Sequence, residues 1–360
     1  MTPNPRNRAL ADLGQSIWVD NITREMLDQG TLAEYIADYS VTGLTSNPTI
    51  FDKAISSGDD YTAQIVELAD QGKDPEAIFF DLALDDLGRA ADLFLPVHER
   101  TGGVDGWVSL EVSPLLADDA DGTVEQAVEL HGRADRKNLL IKIPGTRAGL
   151  AAIEEATFRG IPVNVTLLFS RDHYLAQADA WMKGIERRIE ADLDPVVGSV
   201  ASLFISRWDA AVIDEAPADL RAKLGIAVGG DTYAAYRELL GSDRAERIEQ
   251  AGGQMQKLLM ASTGTKDPEA SDVLYVEGLA APDTVNTMPE ATLLAFADHG
   301  EVTEPLQADG GDSTEVLAAY RDAGFDLDAL AARLQDEGKQ AFADSWQGLI
   351  DSISGRLQAV

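Results

Sequence analysis

Short runs of apolar, often β-branched residues recur along the chain, at 17–19, 41–45, 107–112, 139–143, 163–169, 200–204, 258–261 and 273–276. Runs this short suit strands buried on both faces. Between most of them the apolar positions instead recur every three or four residues, most clearly over 81–94, 123–132 and 149–158. That is the period of an amphipathic helix. Strands separated by helices call for a parallel sheet, because each return needs a crossover. Eight such units predict an α/β fold, and a closed (β/α)8 TIM barrel suits them better than an open sheet.

Two intervals break the rhythm. About sixty residues separate the second and third runs, enough for two helices, and 208–256 is also long, with helical patterns at 209–213 and 232–240. Only a short connection is expected between the last two strands. The stretch 313–360 reads as two or three helices, for instance at 314–322 and 328–344. No linker rich in Pro, Gly or Ser precedes it, so it is expected to pack on the outside of the barrel. The chain is thus read as one domain over 1–360, with a barrel at about 16–300, a C-terminal helical extension at about 313–360 and a further helix before the first strand.

Composition narrows the function. Hydrophobic residues make up 45% of the 360, enough for a large core. The net charge of −33 repels nucleic acid and anionic lipid, so neither is an expected partner. A phosphorylated substrate would be repelled too, unless the few cations were gathered at its site. Cysteine is absent, which removes disulfides, thiolate catalysis and cysteine metal sites. With no signal-like apolar stretch at the N-terminus, a cytoplasmic enzyme, monomer or homodimer, is expected.

Barrel enzymes carry their reacting groups at the C-terminal ends of the strands. There the sequence offers Asp20, Asn47, Glu111, Lys142, Asn164 with Thr166, Ser202 with Arg207 beyond it, and Ser262. Lys142 is the most informative, since an apolar strand normally excludes an ammonium group. Burial of an amine favours its neutral, nucleophilic form. A pairing with Glu111, or snorkelling to the barrel mouth, explains the same lysine without catalysis. Asp20 and Asn47 could equally cap or turn into the helices that follow them. Asn164 and Thr166 could simply hydrogen-bond across the interior. Convergence of these strand ends on one space favours a site. The four histidines are scattered, and His98 and His131 read as solvated surface, so no metal site is expected. Trp18 and Trp107 read as core or rim packing. No phosphate-binding glycine motif or nucleophile elbow is present.

At this point the motifs resemble a known family. Gly43-Leu44-Thr45-Ser46-Asn47-Pro48-Thr49-Ile50-Phe51 resembles the first transaldolase signature. Leu140-Ile141-Lys142-Ile143-Pro144-Gly145-Thr146 is similar to the second, and Val163-Asn164-Val165-Thr166-Leu167-Leu168-Phe169 to the fifth-strand motif. The stretch 281–289 looks like the longer bacterial branch. The resemblance implies a cofactor-free, metal-free transfer of a dihydroxyacetone unit between sugar phosphates, in the non-oxidative pentose phosphate pathway. It implies that Lys142 forms the Schiff base and Asp20 acts as general acid/base. Glu111 with Thr166 would orient a water, and Asn47 and Asn164 would hold substrate hydroxyls. Ser202 and Arg207 match the sixth-strand phosphate motif. The usual seventh-strand Ser-x-Arg is replaced by Ser262-Thr263-Gly264, with Lys266 as the nearest cation. An aldolase of the same superfamily and a non-catalytic sugar-phosphate-binding barrel are the alternatives.

Overall fold

A computed structural model describes residues 3–358. Its eight strands are β1 Ser16–Val19, β2 Val41–Thr45, β3 Val108–Glu111, β4 Leu139–Pro144, β5 Val163–Leu168, β6 Ser199–Phe204, β7 Lys257–Ala261 and β8 Val285–Met288. They close into a barrel in chain order, every neighbour parallel, with β8 returning to β1. The fold is a (β/α)8 barrel with extra helices, as the alternation of periods predicts.

Seven strands lie where the apolar runs place them. The eighth does not: Leu274–Gly278 is a helix, and β8 comes later, inside the 281–289 stretch. Four apolar residues in a row carry no period, so Val273-Leu274-Tyr275-Val276 fits a buried strand or a buried helix equally. The true strand holds Asn286 and Thr287, both buried, which gives it the look of a loop. The connection from β7 to β8 is accordingly long rather than short.

Helices follow their expected patterns with additions. Three, not two, separate β2 from β3: Pro48–Ser57, Thr62–Asp70 and Pro75–Arg100. The first and third begin alike, Asn47 and Asp74 accepting backbone N–H bonds from Ile50 and Ala77 and each followed by proline. After β6 come Ser206–Val212, Leu224–Leu240 and Asp243–Gln250, the last unforeseen. A helix at Pro5–Leu13 precedes β1.

Inside the barrel, Trp18 is fully buried in a cluster with Leu140, Val200, Leu259 and Val285. It fits because Gly43 faces it: a Cβ there would lie 2.5 Å from the indole. The indole N–H donates to Asp105 at 2.8 Å. His98 is not solvated, contrary to expectation. It is 8% exposed, its Nδ1 is 2.9 Å from the Asp105 carbonyl oxygen, and its ring stands edge-on to Trp107 at 4.6 Å. The aromatic contact supplies an apolar setting that a helical pattern read alone does not reveal. His131 is half-buried.

The C-terminal helix Leu327–Gln358 departs most from expectation. It does not lie outside the barrel but crosses the mouth. Leu330, Leu334, Phe342, Trp346, Leu349 and Ile353 form one buried stripe along it. Gln335 donates to the Leu167 carbonyl at 2.9 Å and to that of Gly145 at 3.2 Å, gripping the ends of β4 and β5. A stripe can only say that a face is covered; which part of the barrel covers it is a tertiary matter.

Candidate active site

A cavity of about 360 Å³ opens at the C-terminal end of the barrel. Asp20, Asn47, Lys142, Thr166, Ser202, Arg207, Ser262 and Lys266 all line it, so eight of the ten expected site residues share one wall. Glu111 and Asn164 stand directly behind that wall.

The strand register makes this assembly. Glu111 on β3 pairs with Lys142 on β4, which pairs with Asn164 on β5, and Pro144 pairs with Thr166. Because alternate side chains share a face, residues two apart on neighbouring strands stack toward the axis. Lys142 is 4% exposed, and its Nζ donates to Glu111 at 3.1 Å and to the Ser46 carbonyl at 3.0 Å. Both readings of this lysine therefore coexist: it is ion-paired, and it faces the cavity. Burial pushes the Glu111 carboxyl up from its ordinary pKa, against the pull of Lys142. Burial likewise raises Asp20, opposed by Lys142 and by the Thr45 hydroxyl, which donates to it at 2.7 Å. Asp20 does not cap the next helix; Thr23 does. Two carboxyls with raised pKa beside a buried amine suit proton transfer.

Asn47 both caps its helix and lines the cavity. Asn164 is fully buried, donating to Ser109 at 3.1 Å and accepting from Ser202 at 2.7 Å, so it braces the wall. The Thr166 hydroxyl is buried without a hydrogen-bond partner among the described residues. An orphan hydroxyl there is open to a water or a substrate oxygen. Ser262 just past β7 has φ +56°, a left-handed conformation that turns the chain back over the mouth, and its hydroxyl lies 2.9 Å from that of Ser206.

Cations collect at the rim. Arg207 sits over the Phe204 ring at 5.3 Å, half-buried, and burial opposes its charge. Elsewhere Arg24 and Arg244 are tied to carboxylates. Arg207 and Lys266 have no ion-pair partner among the described residues, and Lys53 on the Pro48–Ser57 helix, also lining the cavity, has none. In a chain of net charge −33, three free cations around one opening suit an anionic ligand. Among the described residues no group of three His, Asp or Glu is placed to hold a metal ion, and no helix is long and apolar enough to cross a membrane.

Sequence reasoning missed Thr45, Lys53, Thr287 and Phe342. Thr287 becomes visible once β8 is placed correctly, because it lies two residues past the buried Val285. Lys53 is a helix residue, outside any inspection of strand ends. Phe342 belongs to the far C-terminal helix, and no local signal ties it to the barrel.

Comparison with known proteins agrees with this geometry. The family model described as transaldolase/fructose-6-phosphate aldolase matches residues 17–353. A transaldolase of Mycolicibacterium smegmatis is 46% identical, with 100% of this chain and 99% of that protein covered. One from Thermobifida fusca is 45% identical, covering 97% and 98%, and transaldolase 2 of Streptomyces coelicolor is 43% identical, covering 98% and 97%. The match runs the length of the barrel and its relatives are similar from end to end, so the chain belongs to the transaldolase/fructose-6-phosphate aldolase family.

Proposed function

We propose that the protein is a transaldolase. It would move a dihydroxyacetone unit from fructose 6-phosphate or sedoheptulose 7-phosphate to erythrose 4-phosphate or glyceraldehyde 3-phosphate. The observation that carries this reading is the Lys142 amine, buried at the cavity wall 3.1 Å from Glu111 and within the influence of Asp20.

In this reading the Lys142 amine, once it has passed a proton to Glu111, adds to the ketose carbonyl. Glu111, with a water held at Thr166, shuttles the protons that let hydroxide leave as water and the imine form. Asp20 then takes the proton of the C4 hydroxyl as the C3–C4 bond breaks and the first aldose departs. The bond's electron pair flows to the protonated imine nitrogen, leaving an enamine. That nitrogen is the electron sink, so the chemistry asks for no further cofactor. The enamine carbon attacks the acceptor aldehyde while Asp20 returns its proton to the new hydroxyl, and water releases the product ketose. Asn47 and Asn164 would hold hydroxyls of the three-carbon unit. Ser202, Arg207, Ser262 and Lys266 would hold the phosphate. The cysteine-free composition supports a cytoplasmic setting, and the seating of the C-terminal helix on the barrel supports one domain.

Borohydride added during incubation with fructose 6-phosphate should trap a dihydroxyacetone adduct on Lys142. Transfer to erythrose 4-phosphate should be abolished in Lys142→Met. An adduct on another lysine, or none, overturns the mechanism. Catalytic release of free dihydroxyacetone by the wild type without acceptor would make it the aldolase of the family instead.

A further inference from the structure

We propose that Phe342 decides the fate of the covalent intermediate, transfer rather than loss to water. The inference rests on the Schiff-base reading of Lys142 and adds a specificity-determining residue from outside the barrel. Its ring centroid lies 5.8 Å from Lys142 Nζ. Phe342 is 6% exposed, lines the cavity, and meets Phe204 at 6.4 Å, which in turn meets Phe169 at 5.3 Å. An apolar roof therefore spans the cavity from the lysine to the phenylalanine beneath Arg207.

The ring's position is fixed on both sides. Toward the helix start, Gln335 holds two carbonyls at the ends of β4 and β5, and Lys339 pairs with Asp118 at 3.0 Å. Between them Gly338 lies so close that a Cβ would come within 2.9 Å of Leu167 and 3.2 Å of Arg207. A mid-helix glycine weakens a helix, so close approach is its evident reason here. Toward the helix end, Trp346 packs edge-on to Phe79 at 5.1 Å. The helix is clamped one turn either side of Phe342.

Chemistry supplies the need. The enamine has two electrophiles to choose from. An acceptor aldehyde gives a new carbon–carbon bond. A proton on the same carbon gives an iminium instead. Water then adds at C2, the C–N bond breaks, and free dihydroxyacetone and the Lys142 amine result. That leak balances as ketose phosphate to dihydroxyacetone plus aldose phosphate, the C4 hydroxyl proton ending on carbon. A ring over the nitrogen excludes water from this carbon while its face attracts the iminium cation. It favours the covalent state and keeps solvent from relaying a proton to the carbon, so the proton held by Asp20 is left for the hydroxyl of the new ketose.

The test is a ratio measured on the full-length protein: free dihydroxyacetone released from fructose 6-phosphate alone, divided by transfer to erythrose 4-phosphate. Both numerator and denominator come from folded molecules, so partial unfolding cancels. Phe342→Ala should raise the ratio about tenfold, one decade in relative rate, and Phe342→Leu, which keeps most of the volume, by under about twofold. Gln335→Ala, which loosens the clamp without touching the lining, should raise it by less than Phe342→Ala. Should the alanine variant not fold, Phe342→Val must show an intermediate rise. An unchanged ratio in whichever small variant folds, or a parallel loss of both activities, overturns the seal. Absence of transfer and of any Lys142 adduct in the wild type would instead overturn the Schiff-base reading.

Discussion

Two layers of side chains point inward from the same strands, two residues apart, and they could hardly differ more. The lower layer holds Trp18, Leu140, Val200, Leu259 and Val285, an apolar plug. One step up, the same strands present Lys142, Ser202, Ala261 and Thr287, with Asp20 just past β1. The lower layer gains stability from burial and asks little of its neighbours beyond the space at Gly43 and the Asp105 carboxylate that Trp18 uses. The upper layer loses hydration and must be compensated by Thr45, Ser46 and by its own opposite charges. Folding is secured below so that an electrostatically unfavourable arrangement can be held above.

The largest break in this contrast is expected from Trp18→Ala. It should cost about 3–5 kcal/mol of stability through the cavity it leaves, with kcat per folded molecule little changed; urea titration beside an active-site titration checks both. A loss of kcat larger than the loss of folded protein would mean the plug is part of the site.

Next comes the rim. Arg207→Ala should weaken fructose 6-phosphate by about 2–3 kcal/mol, the range for charge-assisted hydrogen bonds. Lys266→Ala should cost less, because a lysine gives a point charge without the guanidinium fork and is more screened. Steady-state kinetics with fructose as donor is the control, since both penalties should shrink there. Equal penalties for the two donors would assign these residues to the fold.

The smallest effect sharpens the comparison from the stability side. Asp20 is raised by burial, so the native state holds its proton to higher pH than the unfolded chain does. Its contribution is present in full below the ordinary carboxylate pKa and is lost as pH rises through the raised value. Asp20→Asn should therefore gain stability relative to wild type as pH climbs through that window, while losing turnover. Denaturant midpoints for the two proteins at a mildly acidic and a mildly alkaline pH give the difference. A constant difference across the window would show that Asp20 titrates alike in both states.

How much of this was legible in the sequence follows from the same two layers. Strand runs could be read because inward and outward positions are both apolar at the bottom of the barrel, and Lys142 and Glu111 stood out because they interrupt such runs. β8 was lost because Asn286 and Thr287 are polar yet buried, and their oxygens find partners only on other strands and loops: the Thr263 hydroxyl donates to Asn286 at 2.8 Å, and the Thr45 hydroxyl lies 2.7 Å from that of Thr287. Lys53 and Phe342 were invisible for a related reason. Each reaches the cavity from a helix, and a helical pattern states which face is buried without stating what lies opposite.

The crossing of the C-terminal helix over the mouth also sets an order of events during synthesis. The last strand ends at Met288, whereas the helix that brings Phe342 begins at Leu327. A chain growing from its N-terminus therefore has every barrel strand available before Phe342, the residue this helix adds to the cavity lining, exists. Until Phe342 has been added, Lys142 lacks the aromatic neighbour that lies 5.8 Å from its amine in the folded protein. Enclosure of the lysine is thereby tied to the helix Leu327–Gln358, and a chain interrupted between the two would carry the reacting groups without the aromatic cover they have here.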